Sequence, residues 1–146
     1  MTTSYDPNVF DQAIYNKLVG STALTALTTG GTAAPSIYQH MAPGTAAGTY
    51  VIYNRQASTP MHTMPTVAIE NELFQVKAVV LSDSARAAGT VAAKIEQALT
   101  NDVLTITGYT PILCRRESGI DYPELGPGGQ RFFHRGAIYR VQAQPS

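Results

Sequence analysis

Residues 72–100 carry the feature that most restricts the fold, a strand-like segment that passes directly into a helix-like one. Apolar residues recur at every second position from Glu72 to Leu81, and one face of this predicted strand holds Phe74, Val76, Ala78 and Val80. Ser82–Ser84 then supplies N-cap side chains. The helix that follows runs to about Thr100, and its apolar stripe consists of Ala88, Val91, Ala92, Ile95, Ala98 and Leu99. The chain is therefore expected to pack a helix on a sheet.

A second helix is predicted near the N-terminus. Asp6 is a suitable N-cap, and Pro7 fits the first helical position because an N–H there has no partner within the helix. Gly20 is expected to end this helix, because glycine allows a positive φ at such a stop, and Ser21 is expected to cap a second short turn. The apolar stripe of the first helix consists of Phe10, Ala13, Ile14 and Leu18.

Extended segments follow each helix. Tyr50–Tyr53 is apolar on both faces, which is typical of a central strand between two layers. Gly119–Gln130 is predicted as a long loop, and Gly136 as a bulge. The order of elements indicates an α+β domain with a mainly antiparallel sheet and helices packed on one face. The remaining predicted strands are Ser36–Met41, Val103–Thr107, Ile112–Glu117 and Arg131–Ala143.

The composition fits one domain spanning residues 1–146, because a chain of this length with 44% hydrophobic residues can form a core without metals or disulfides. Charged residues make up 14%, against about 25% in ordinary domains. We therefore expect other subunits to cover part of the surface. The zero net charge gives no reason to expect a nucleic-acid partner for the molecule as a whole.

The sequence also bears on location. It contains no run of about 18 apolar residues, and no basic segment followed by an apolar one opens it. These observations predict neither a membrane span nor a secretory signal. The lone cysteine, Cys114, is consistent with synthesis in a reducing cytoplasm.

We expect no catalytic residue, no cofactor-binding residue and no metal ligand. His40, His62 and His134 lack the close pairing and the carboxylate spacing of metal motifs. Met61, His62 and Met64 are soft ligands that suit copper(I), but three such residues in a proline-containing loop are more typical of contact residues. Cys114 lies in an apolar run, which favours a buried thiol over a nucleophile.

Arginines are concentrated near the C-terminus. The segment 115–140 has five arginines and three acidic residues, and neighbouring strands would gather arginines such as Arg115, Arg116 and Arg135 into a basic patch that meets phosphates or an acidic subunit surface. The alternative is a solvated sheet face with intramolecular ion pairs, because like charges on neighbouring strands disfavour each other. The first reading predicts contacts with DNA or with an acidic neighbour.

Residues 57–69 contain no Asp, Glu, Lys or Arg but include Met61 and Met64 between Pro60 and Pro65. The prolines oppose helix and central-strand structure, so the segment is predicted as an arm that extends from the sheet. Exposed methionines adapt well to irregular apolar surfaces and indicate a contact with a subunit or a tube. The alternative is that the arm folds back on its own core.

The order of these elements resembles that of the tail completion, or tail terminator, proteins of long-tailed bacteriophages. The resemblance covers nearly the whole chain. It rests on the N-terminal helix, the strand Leu73–Leu81, the alanine-rich helix to Leu99, and three short segments: SIYQHMAP (36–43), YVIYN (50–54) and FFHRGAIYRV (132–141).

The resemblance implies a non-enzymatic structural protein of the virion. It implies a hexameric ring that caps the head-proximal end of the tail tube, stops its polymerisation and provides the surface for joining the head. The implied partners are further copies of the chain, the tail tube protein, a head–tail connector protein and the DNA that passes through the lumen, with no membrane. A connector or another tail component is one alternative, and a small ligand-binding or enzymatic α+β domain is another.

Overall fold

The computed structural model describes residues 4–63 and 66–146. A 3-10 turn at Pro127–Gly129 joins the last two strands. The helices and strands, in chain order, are α1 (Pro7–Val19), α2 (Thr22–Thr25), β1 (Ile37–Gln39), β2 (Thr49–Ser58), β3 (Met61–Thr63), β4 (Thr66–Leu81), α3 (Ala85–Thr100), β5 (Tyr109–Leu125) and β6 (Arg131–Pro145).

Five of the strands lie side by side in the order β1-β2-β4-β6-β5, and β3 pairs with β4 outside that row. Only the β1–β2 pairing is parallel, whereas β2–β4, β3–β4, β4–β6 and β5–β6 are antiparallel. The predicted α+β class with a mainly antiparallel sheet is therefore confirmed.

Local capping explains where the first two helices begin. The Asp6 carboxylate accepts a hydrogen bond from the Asn8 amide at 3.0 Å, and Pro7 occupies the first helical position of α1. The Ser21 hydroxyl accepts from the Leu24 amide at 3.3 Å and caps α2. Gly20 ends α1, as predicted, and it does so in the right-handed helical conformation, with φ −74°.

The core lies between the helices and one face of the sheet. The stripe of α3 that is buried consists of Ala88, Val91, Ile95 and Leu99. It packs in one cluster with Phe10, Ile14 and Leu18 of α1. The sheet contributes Phe74, Val76, Ala78 and Val80 of β4 and Ala137, Tyr139 and Val141 of β6. Helix packing on one face of the sheet is thus confirmed, and the apolar periodicity of both helices found the residues that form it.

The other sheet face carries none of the described helices, and we call it the open face. Directly opposed residues in an antiparallel pair share a face, so Tyr50, Ile52, Lys77, Val79 and His134 all belong to it. Tyr50 and Ile52 are only half-buried, whereas Val51 and Tyr53 are buried on the helix face. The interpretation of Tyr50–Tyr53 as a strand between two layers is therefore wrong.

The structure corrects three predictions in the C-terminal half. Val103–Thr107 is a loop that delivers Leu104 and Ile106 to the core without strand pairing. Ile112–Glu117 is only part of β5, which continues through residues 119–125 because an edge strand tolerates Gly119 and Pro123. The loop predicted over Gly119–Gln130 is thereby reduced to its last five residues.

Bulges occur in β5 rather than in β6. The register shifts between Pro111 and Leu113 and again between Arg116 and Ser118. Gly136, which was predicted as a bulge, is in regular register with Lys77. A Cβ at Gly136 would lie 2.1 Å from the Val76 carbonyl oxygen, so a close approach of two backbones explains the glycine.

Residues 57–69 are mostly β-structure. Ala57 and Ser58 end β2, Met61–Thr63 forms β3, and Thr66–Ile69 begins β4. The prolines were predicted to oppose helix and central-strand structure, and β3 lies outside the main row of strands. β6 pairs with β4 only from Glu70 onward, so β3 and residues 66–69 form a two-stranded ribbon beyond the main sheet. We call this ribbon the hairpin arm.

Candidate assembly surfaces

Arg115 lies on the open face, directly opposite Arg140 of β6. Glu117 stands between the two guanidinium groups: its Oε1 is 3.5 Å from Arg115 Nε and also accepts a hydrogen bond from Arg140 Nε. The hydrogen bond from Arg140 lowers the pKa of the Glu117 carboxyl. Arg140 also donates to Asn71 Oδ1 at 2.8 Å. Arg115 is thus one end of a small charged cluster, with its side chain 64% exposed.

Arg116 and Arg135 lie on the opposite face, beside α3. Arg116 Nε is 3.0 Å from Glu96 Oε2 of α3, and Arg135 Nη2 donates to Asp121 Oδ2 at 2.9 Å. The hydrogen bond from Arg135 lowers the pKa of the Asp121 carboxyl. The structure therefore brings Arg116 and Arg135 to the same helix and separates Arg115 from them. Each of the three also has a carboxylate partner within the chain.

The hairpin arm presents an apolar, uncharged surface. Met61 is opposite Ile69 and His62 is opposite Val67 across the β3–β4 pairing. The Met61 side chain is 48% exposed. Met64, the other methionine predicted to make contacts, lies outside the described residues. The described part of the arm thus carries one of the two predicted contact residues at its surface.

Arg55 of β2 holds the base of the arm to the N-terminal segment. Its Nη2 donates to the Asp11 carboxylate at 2.6 Å and to the Pro7 carbonyl oxygen at 2.7 Å. Its Nε is 3.2 Å from Glu72 Oε2, in the geometry of an ion pair rather than a hydrogen bond, and its guanidinium lies over the Phe74 ring. Glu72 has no solvent exposure. This cluster was not predicted from the sequence. Glu72 interrupts the apolar alternation of β4, and a carboxylate buried at such a position needs a charged or hydrogen-bonding partner.

His134 and Cys114 are two described residues whose side chains could act in catalysis or bind a metal. His134 stacks on Tyr122 with ring centroids 4.4 Å apart, and burial lowers the pKa of its imidazole. Burial raises the pKa of the Cys114 thiol to about 12, which keeps it protonated. In residues 4–63 and 66–146, no group of three His, Cys, Asp or Glu side chains is arranged to hold a metal ion. No helix of the described chain is long and apolar enough to cross a membrane.

Comparison with known proteins decides the family. The family model described as tail completion protein gp17 matches residues 12–124, which is more than half of the chain. The chain belongs to this family. It is therefore a structural protein of the bacteriophage tail, and its place is in the virion. The resemblance seen in the order of helices and strands is confirmed.

Solved structures share the fold of this tail completion protein. A chain from the virion of a native gene transfer agent particle has a TM-score of 0.71 and 18% identity, with 97% of this chain and 99% of that chain covered. A second solved chain has a TM-score of 0.56 and 18% identity, with coverage of 98% and 97%. No curated protein sequence matches the chain. Both structural matches span almost the whole of this chain, so the likeness in fold is not confined to the core.

Proposed function

We propose that this tail completion protein closes into a hexameric ring at the head-proximal end of the tail tube. There it ends tube polymerisation and presents the surface to which the head is joined. Membership of the tail completion family supports a role at the tail. The observation that carries the proposal of a ring is the hairpin arm, an uncharged ribbon that projects from the sheet with Met61 at its surface.

A two-stranded ribbon has little stability of its own in water, because it has no core to bury its apolar side chains. The arm nevertheless carries Val67 and Ile69 and none of the four charged residue types. Contact with a second subunit would cover these side chains. A contact between two different patches of the same chain is heterologous, and it closes into a ring when the rotation between neighbours permits.

The test is a double variant in which Met61 and Met64 are both replaced by serine. We expect the isolated subunit to keep its unfolding midpoint, because Met61 is exposed, and to lose ring closure or docking to the tail tube. Light scattering over a concentration series and particle images of the purified protein measure assembly. Met41→Ser is the matched control, since Met41 is 81% exposed and lies outside the arm.

Three results are decisive. Rings in the wild type and the control but not in the double variant support the proposal. Early unfolding of the double variant would place the methionines in a core contact instead. A wild type that stays monomeric at high concentration and is absent from assembled particles would overturn the ring.

A head–tail connector is the second candidate within the same structural class, and the order of assembly separates the two. A terminator binds the head-proximal end of a finished tail tube in the absence of heads. A connector binds the portal side of a head in the absence of tails. Mixing the labelled protein with purified tails and, separately, with purified tail-less heads therefore decides between them. Either role places the protein in the virion after synthesis in the host cytoplasm.

Arg115, Arg116 and Arg135 are proposed to contact DNA in the lumen or an acidic neighbouring subunit. Because Arg115 lies on the open face and Arg116 and Arg135 lie beside α3, the two faces can be tested separately. Arg115→Gln changes the open face, whereas the pair Arg116→Gln and Arg135→Gln changes the helix side. We expect a small change in melting temperature for each, because exposed ion pairs contribute little to stability. The face that meets the charged partner should show weaker, more salt-sensitive assembly. Normal assembly with a large loss of stability would instead assign these arginines to folding.

A further inference from the structure

A groove runs along α3 on the side that faces β5. It has a volume of about 410 Å³, and it is lined by Ala92, Ala93, Glu96, Gln97, Arg116, Gly136, Ala137 and Tyr139. Four of these eight residues are glycine or alanine, and Tyr139 is itself buried. The floor of the groove is therefore mostly apolar, and it leaves room for the side chains of another segment.

The charges beside this groove are already neutralised. Arg116 pairs with Glu96 across its rim. Two helical turns before Glu96, the Arg135 guanidinium passes Gly89 and pairs with Asp121. A charged occupant would have to compete with these carboxylates and guanidinium groups, whereas an uncharged apolar segment leaves them paired. The groove thus favours a neutral occupant with flexible apolar side chains.

The hairpin arm has this chemistry, but the arm of the same chain cannot fill the groove. The lining residue Tyr139, at the end of the groove nearer the arm, is opposite Phe74 of β4, and the arm begins beyond Glu70. These two positions on β4 are four residues apart, or about 13 Å at roughly 3.3 Å per residue. The arm also extends away from the groove. An arm that occupies the groove must therefore come from a second copy of the chain.

We propose that the hairpin arm of each subunit docks in the α3 groove of the next subunit. This rests on the proposed ring and identifies the two surfaces that form it. Methionine suits such a contact because its unbranched, flexible side chain adapts to a floor of small residues. The described ribbon has seven residues, against about 20–30 residues per partner in a standard stable interface. One contact is therefore weak, and assembly depends on closing all the contacts of the ring.

Cross-linking tests the pairing of these surfaces. In a Cys114→Ala background, Met61→Cys is combined with Ala93→Cys, which lies on the exposed side of α3 at the groove. Mild oxidation of assembled rings should give a ladder of linked subunits. The control combines Met41→Cys with Ala93→Cys, because Met41 is more exposed than Met61 but lies outside the arm. Ladders of equal strength in both, or rings that yield none with Met61→Cys, would overturn the proposal.

Blocking the groove gives an independent readout. Ala93→Arg places a long charged side chain over the floor, and Ala87→Arg makes the same change at an exposed position of α3 outside the groove. Both variants should keep the wild-type unfolding midpoint, and only Ala93→Arg should lose rings, with at least a tenfold rise in the concentration needed for assembly. Rings that persist in Ala93→Arg would refute the docking site and leave the ring itself standing. A wild type without rings would refute the ring as well.

Discussion

Replacing Arg55 by methionine should destabilise the subunit strongly, because it removes the cation that faces a fully buried carboxylate. Glu72 has no solvent exposure, and Arg55 Nε is 3.2 Å from its Oε2. Removal of one partner from a buried pair costs about 3–5 kcal/mol, against a total stability of about 5–15 kcal/mol for a domain. At roughly 3 °C per kcal/mol for a chain of this size, the melting temperature should fall by about 10 °C.

Urea unfolding at pH 7 measures this loss, with Arg86→Met as the control. Arg86 is exposed on α3, so its replacement should change the free energy of unfolding by less than about 0.5 kcal/mol. Adding Glu72→Gln to Arg55→Met removes the unpaired charge, and the double variant should recover about 1–3 kcal/mol relative to the sum of the two single changes. A loss below about 1 kcal/mol for Arg55→Met, or strict additivity, would refute the account of this cluster.

Three further predictions concern single positions. Gly136→Ala should cost about 1–3 kcal/mol of unfolding free energy, because its Cβ would lie 2.1 Å from the Val76 carbonyl oxygen, whereas Gly119→Ala meets no atom within 4 Å and should be nearly neutral. Urea midpoints of the wild type should fall between pH 7.5 and pH 5, and His134→Phe should abolish part of this fall. Burial lowers the pKa of His134, so the unfolded chain takes up a proton below about pH 6.5 that the native state binds less readily, and stability falls with falling pH. Cys114, whose pKa is raised to about 12, should resist alkylation at pH 8 in the native protein and react once urea unfolds it, and rapid native labelling would contradict its burial.

Periodicity predicted the parts of the fold in which one face of an element is buried. β4 keeps its apolar period from Phe74 to Val80, and α3 keeps its own, because one side of each packs on the common core. The caps at Asp6, Ser21 and Ser84 were equally readable, since each side chain satisfies an amide in the next turn. The α+β class follows from these elements and their order.

The edge strand β5 could not be predicted from apolar periodicity. β5 is exposed along most of its length, so its residues show no regular apolar alternation, and Gly119 and Pro123 suggested a loop. Leu104 and Ile106 show the opposite case, because they alternate like a strand but only anchor a loop to the core. Pairing partners, rather than local sequence, decide these two segments.

The candidate assembly surfaces were also only partly predictable from the local sequence. Consecutive residues of a strand point to opposite faces, so the separation of Arg115 from Arg116 was implied by their numbers alone. The groove beside α3 was not implied, because it depends on the distance between a helix and a strand that lie far apart in the sequence. The carboxylate partners Glu96 and Asp121 depend on this same packing.

The outer edge of β5 limits the ways in which copies of this chain can join. The edge is 17 residues long and pairs on one side with β6, yet it carries two register shifts, two prolines and several charged side chains. These features disfavour pairing of β5 with a strand of another molecule. Such edge-to-edge pairing is how exposed sheet edges aggregate into fibrils. An assembly built from such a unit therefore has no open-ended direction of growth through its backbone. Contacts between such units must then be made through side-chain surfaces, and the rotation between neighbours decides whether they close.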